Sequence, residues 1–126
     1  MEIYHKQSKT ITESDNNLFC LLTMNHHPVH LNTQYAEQAK HGQILVVGTL
    51  VFSLVVGMSV QDLSWNAVAN LEYTDVSHIR PVFIGDTIYA RSRRMTREGR
   101  VLTYRTIGYN QHDKVVISIT RKILMK

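Results

Sequence analysis

The segment from Ile44 to Val60 carries no charged side chain and is almost wholly apolar, and it narrows the folds open to this 126-residue chain more than any other feature. Its length lies at the low edge of the about 17–25 residues that cross a bilayer. Gly48, Thr49, Ser53, Gly57 and Ser59 interrupt it, and no cluster of Lys or Arg brackets it as a membrane anchor requires. The rest of the chain reads as soluble sequence. The segment is therefore expected to be a helix buried all round inside a soluble domain, beginning near Gly48 or Thr49 and ending near Leu63.

A chain of this length supports one hydrophobic core, so residues 1–126 are expected to form a single domain. It has no internal repeat, linker or low-complexity tract. The lone cysteine, Cys20, excludes an internal disulfide framework and fits a reducing cytoplasm. On the apolar face of a first helix it reads as a small buried hydrophobe. The opening Met-Glu-Ile-Tyr-His lacks the basic-then-apolar pattern of a signal peptide.

Elements on either side of the apolar segment differ in kind. Ile3 to Ile11 alternates as a first strand. Thr12 with Asp15 three positions on is a helix start, and Leu18, Leu21 and Leu22 then recur at helical spacing beside Phe19. Asn32 or Thr33 is placed to cap a second short helix through Lys40, ended by His41-Gly42. After the apolar segment come four runs rich in Val, Ile, Thr and Tyr: Asn66–Val76, Asp86–Met95, Val101–Tyr109 and Val115–Leu124. Arg97-Glu98-Gly99-Arg100 and Asn110-Gln111-His112-Asp113 connect them as hairpins, and Pro81–Gly85 makes a turn. One strand, then helices, then antiparallel strands is an α+β order. An apolar helix and a curved antiparallel sheet satisfy each other when the sheet wraps around the helix, so the expected fold is a single hotdog domain. One such layer leaves a sheet edge and part of a helix exposed, which makes a homodimer the expected assembly.

Polar chemistry concentrates at residues 25–30, Asn-His-His-Pro-Val-His. Histidine is the side chain whose unperturbed pKa lets it exchange protons near neutral pH. Pro28 fixes its own φ and biases His27 to an extended backbone, a stiff turn between two helical elements. A zinc site built from His26, His27 and His30 would lack a nearby Cys or acidic residue to complete a tetrahedral set, so no metal is expected.

The stretch from Thr12 to Ala39 resembles the hydratase motif of the MaoC-like, (R)-specific enoyl-CoA hydratases of the hotdog fold. In that family a helix ending Phe-x-x-Leu-Ser-Gly runs into Asp-x-Asn-Pro-Leu-His and then a Tyr-Ala helix. Here Phe19 and Leu22-Thr23-Met24 precede Asn25-His26-His27-Pro28-Val29-His30 and Tyr35-Ala36. The family's Ala-His-Gly entry to the central helix aligns with Val46-Val47-Gly48, and its Pro-Val-x-x-Gly-Asp-Thr turn with Pro81–Thr87. Two positions depart: Asn25 stands where the family has its catalytic aspartate, and His27 where it has asparagine.

The resemblance implies hydration or dehydration of a 2-enoyl-CoA, with CoA carried by the substrate and no separate cofactor. It points towards small branched dicarboxylyl esters such as mesaconyl- or itaconyl-CoA. A carboxamide cannot ionise, so Asn25 cannot be the base. His30 and His27 are then expected to carry protons while Asn25 orients water, and His26 to point away. Val47 and Gly48, at the start of the central helix, would receive the thioester oxygen, because a helix N-terminus presents backbone donors and glycine admits close approach. The formal charge is +4, and Arg91, Arg93, Arg94, Arg97 and Arg100 cluster within ten positions. Arg91, Arg93 and Arg94 are expected to hold CoA phosphates, since guanidinium groups bind phosphate bidentately. Nucleic acid is not an expected partner, because the aromatic residues are few and dispersed. Two alternatives stay open: a hotdog thioesterase, for which the central helix offers only Asp62, and a non-catalytic acyl-CoA-binding protein.

Overall fold

In the computed structural model, which describes residues 1–126, the first helix begins where its capping residues place it. Thr12 Oγ1 accepts from the Asp15 amide at 3.2 Å and Asp15 accepts from the Thr12 amide at 2.9 Å, closing a capping box on α1 (Glu13–Thr23). The Thr12 amide and the Lys9 ammonium, 2.9 Å away, hold the Asp15 carboxyl below its ordinary pKa. The helix ends at Met24 in the left-handed conformation, φ 63°. Its leucines do not form the core: Leu18, Leu21 and Leu22 are 58, 61 and 73% exposed, while Asn16 and Cys20 are fully buried. Burial raises the Cys20 thiol's pKa.

The expected single strand from Ile3 to Ile11 is two short ones, β1 (Glu2–Tyr4) and β2 (Lys9–Thr10), both paired antiparallel to the strand Thr87–Glu98. The break falls at His5, whose side chain turns inwards. His5 meets Asp62 at 2.7 Å through Nδ1 and the buried Ser92 hydroxyl at 2.6 Å through Nε2. The expected helix through Lys40 is likewise two turns, α2 (Pro28–Leu31) and α3 (Thr33–Glu37). Asn32 separates them with an extended backbone, and its Oδ1 accepts from the Tyr35 amide at 3.0 Å to cap the second.

The central helix α4 (Gly48–Ser59) runs on as a π-helical turn, Val60–Ser64, close to the expected limits. It is too short and too polar at its end to cross a membrane, and no other helix is long and apolar enough to do so. In the single chain it is covered on one side only. Val51, Val55, Met58 and Ser59 are buried against the sheet, whereas Thr49, Ser53 and Gly57 are exposed, so burial all round does not hold for this helix.

The sheet contains β3 (Ala67–His78), β4 (Thr87–Glu98), β5 (Val101–Tyr109) and β6 (Val115–Met125), in the order β1-β4-β5-β6-β3, with antiparallel pairing throughout. These are the four expected strands, extended by up to a few residues. The hotdog arrangement of sheet around helix is present. Ile88, Ala90, Ile117 and Ile119 face Val51, Val55 and Met58 in the main core, each large aliphatic side chain contributing about 1.5–3 kcal/mol by burial. A second cluster of Leu63, Tyr104 and Ile123 lies under the π-turn. Beside it the buried Arg121 donates to the hydroxyls of Ser59 and Ser64 and to Asn70 Oδ1, and burial lowers its pKa.

Helix and sheet approach closely at Gly108. A Cβ there would sit 2.6 Å from Val55 Cγ2 and 2.8 Å from Ile117 Cγ2, both on fully buried residues. Gly108→Ala should therefore lower stability by about 1–3 kcal/mol through overpacking, read as a lower urea midpoint. An unchanged midpoint would mean that helix and sheet are not packed this closely.

Candidate active site

Residues 25–30 leave α1 through the left-handed turn at Met24 and enter α2 at Pro28, which suits a first helical position because that residue's amide needs no partner. Asn25 Oδ1 accepts from the His27 amide at 3.3 Å. The exposed His27 caps α2, its Nδ1 accepting from the Val29 amide at 3.1 Å. An acceptor Nδ1 places the proton of neutral His27 on Nε2.

His30 has the opposite arrangement. Its Nδ1 lies 2.7 Å from the Leu45 carbonyl oxygen, which can only accept. The proton of neutral His30 is thus on Nδ1, and Nε2 keeps its lone pair. The rings of His27 and His30 meet edge to face at 6.1 Å, and Tyr35 packs edge to face on His27 at 5.8 Å.

Asn16, fully buried, ties this turn to the central helix. Its Nδ2 donates to the His30 carbonyl at 2.9 Å, and its Oδ1 accepts from the Val47 amide at 3.0 Å. Val47 is the N-cap of α4, so Gly48 opens the helix with an amide that has no intrahelical partner. The His78 ring lies over Gly48: a Cβ on that glycine would be 3.0 Å from His78 Cε1 and 3.2 Å from Nε2. Neither Asn16 nor His78 is singled out by the sequence. Their partners lie on other elements, and no local spacing announces them.

Beside Gly48 opens a cavity of about 320 Å³ whose lining includes Leu45, Val51, His78 and Arg80. The structure thus gathers Asn25, His27 and His30 on one turn, links that turn through Leu45 and Asn16 to Val47 and Gly48, and sets a cavity alongside. The arginines lie elsewhere. Arg91 and Arg93 project from the outer face of β4, each 3.8 Å from a Glu2 carboxylate oxygen, and Arg91 stacks over Tyr109 at 5.1 Å. Arg94, opposite Tyr104 in the β4–β5 register, is exposed towards the strand's far end. None of the three lines the cavity at Gly48.

Asp62, the one carboxylate of the central helix, is held by His5. Asp62, His5 and Ser92 form a carboxylate–imidazole–hydroxyl row continued by Thr106, 2.8 Å from Ser92. Ser92 is 1% exposed and Thr106 fully buried, so this row pins the N-terminus to the sheet and offers no nucleophile to a substrate. No three His, Cys, Asp or Glu side chains converge on a common point that would hold a metal.

A helix of this length inside an antiparallel sheet, with a polar turn laid against the helix N-terminus, defines a hotdog domain. The chain belongs to the MaoC-like domain family, whose model, described as MaoC like domain, matches residues 1–115. It is 31% identical to a β-methylmalyl-CoA dehydratase from Chloroflexus aurantiacus, covering 98% of this chain and 37% of that protein. It is 30% identical to a mesaconyl-CoA hydratase from Cereibacter sphaeroides, covering 98% and 38%. The chain thus spans little more than a third of the length of these curated relatives. Among solved structures it superposes with a TM-score of 0.86 on an Archaeoglobus protein described as a monoamine oxidase regulatory protein, at 30% identity over 99% of this chain and 88% of that one.

Proposed function

We propose that the chain is an enoyl-CoA hydratase/dehydratase that adds or removes water across a short 2-enoyl-CoA, with His30 as the base. The hydrogen bond from His30 Nδ1 to the Leu45 carbonyl carries this reading, because it leaves Nε2 unprotonated. In hydration, Nε2 takes a proton from water as the water oxygen bonds to the β-carbon. The double-bond electrons move through the α-carbon to the thioester oxygen, which the Gly48 amide at the head of α4 receives with a favourable helix dipole. A proton then returns to the α-carbon.

His27 enters differently from His30. With Nδ1 accepting from Val29, it presents Nε2–H, a donor to water or to the developing oxyanion. Asn25, with Oδ1 turned to the His27 amide, has its NH₂ left to orient the water. A small branched dicarboxylyl ester such as mesaconyl-CoA is the finer substrate reading, supported by the names of the two relatives near 30% identity. The apolar residues left open on edge strand β3, Val68, Leu71, Tyr73 and Val76, support a homodimer; sedimentation as a stable monomer would overturn that part.

The test follows the conjugated thioester absorbance of crotonyl-, mesaconyl- and itaconyl-CoA together with release of free thiol. Loss of conjugation without thiol is the expected result. Thiol release would instead establish a thioesterase, against which the engagement of Asp62 by His5 already argues. Binding with neither change would establish an acyl-CoA-binding protein.

A further inference from the structure

We propose that the cavity beside Gly48 is a subsite for a carboxylate on the acyl group, held chiefly by Arg80 and His78. This rests on the acyl-CoA reading above and goes further by naming the groups that select the substrate. Of the cavity's lining, Lys40, His41, His78 and Arg80 carry or can carry positive charge, and no Asp or Glu is among them. Such one-sided basic lining around a pocket with buried Val51, Val82 and Val116 suits a small carbon skeleton that ends in an anion.

Arg80 is prepared for a planar anion. Its Nη1 donates to the Val115 carbonyl at 2.7 Å, which fixes the guanidinium and leaves Nε and Nη2 as donors for a carboxylate. The His41 ring packs edge to face on Phe83 at 5.6 Å, which holds it at the rim. His78 sets the location. Its ring is in contact distance of Gly48, so a group beside it is a few bonds from a thioester whose oxygen sits at the Gly48 amide. The phosphates of CoA are separated from that thioester by the whole pantetheine arm. The anion placed here therefore belongs to the acyl group and not to the nucleotide.

The experiment compares kcat/KM for mesaconyl-CoA, whose acyl group bears a carboxylate, with that for crotonyl-CoA, whose acyl group does not. It uses the wild-type chain and the exposed variants Arg80→Gln, His78→Gln and Lys40→Gln. The ratio of mesaconyl- to crotonyl-CoA kcat/KM should fall by at least about tenfold in Arg80→Gln, the scale of one charge-assisted hydrogen bond. The other two should fall in the same direction. Equal losses on both esters, or no loss on either, would overturn the proposal. If the wild-type chain hydrates neither ester, the hydratase reading fails separately, and calorimetric titration with mesaconyl-CoA, crotonyl-CoA and CoA decides the subsite. A mesaconyl-CoA preference that vanishes in Arg80→Gln upholds it. Equal weakening of CoA alone would assign the cavity to phosphate and overturn it.

Discussion

Replacing His30 with alanine should lower turnover at least about a hundredfold with the chain still folded, because a positioned base contributes on the order of 10²–10⁴. The ring is only partly buried, and water can take over the Leu45 carbonyl when it is removed. His30→Gln sharpens the test. Glutamine retains an amide that can donate to Leu45 but has no nitrogen that accepts a proton, so its loss should match that of alanine. Added imidazole should restore part of the alanine variant's rate and none of its stability. A folded alanine variant with near wild-type turnover would remove His30 from the mechanism.

Asn16→Leu should be the most damaging single substitution for the fold near the site. The amide satisfies two backbone groups at once, the His30 carbonyl at 2.9 Å and the Val47 amide at 3.0 Å, from a fully buried position. Leucine has similar bulk but serves neither. Each orphaned group costs about 1–3 kcal/mol, so the sum is on the order of 2–6 kcal/mol. That is a large share of the roughly 5–15 kcal/mol that holds a domain together. Asn16→Asp should also be destabilising, because its carboxylate still accepts from the Val47 amide but sets a fully buried charge against the His30 carbonyl oxygen. A urea midpoint for Asn16→Leu equal to that of the wild-type chain would show that water can replace the asparagine.

The central helix and four of the six strands were legible because the composition of their segments marks them. Hydrophobicity without charge across Ile44–Val60 marks a helix that needs a sheet, and β-branched runs mark the strands that supply it. The capping box at Thr12 was equally plain, since both its hydrogen bonds close within three residues. Spacing alone does not say what a stripe faces. Leu18, Leu21 and Leu22 line up as a core face, yet α1 turns Asn16 and Cys20 inwards, because Asn16 is drawn to backbone groups 14 and 31 residues away. His5 interrupts the first strand for the same reason, its partners Asp62 and Ser92 being 57 and 87 residues distant. The polar turn at Asn25–His30 could be found from composition, but the hydrogen-bond partners of its histidines could not. Two histidines in one short motif look alike until the Val29 amide and the Leu45 carbonyl assign them opposite tautomers.

Cys20 gives the molecule a built-in reporter. Its thiol is fully enclosed and its thiolate disfavoured, and no other cysteine exists to compete for a reagent. An alkylating probe can reach it only when α1 lifts from the body of the domain, so labelling speed measures how often that happens. The same helix carries Asn16 four residues earlier, one turn along the same face. Each opening event counted at the sulfur is thus also a moment when the His30 turn loses its anchor to the central helix. A ligand seated against that turn would slow the reaction of a sulfur it never touches, and the degree of slowing would give its affinity without any catalytic assay.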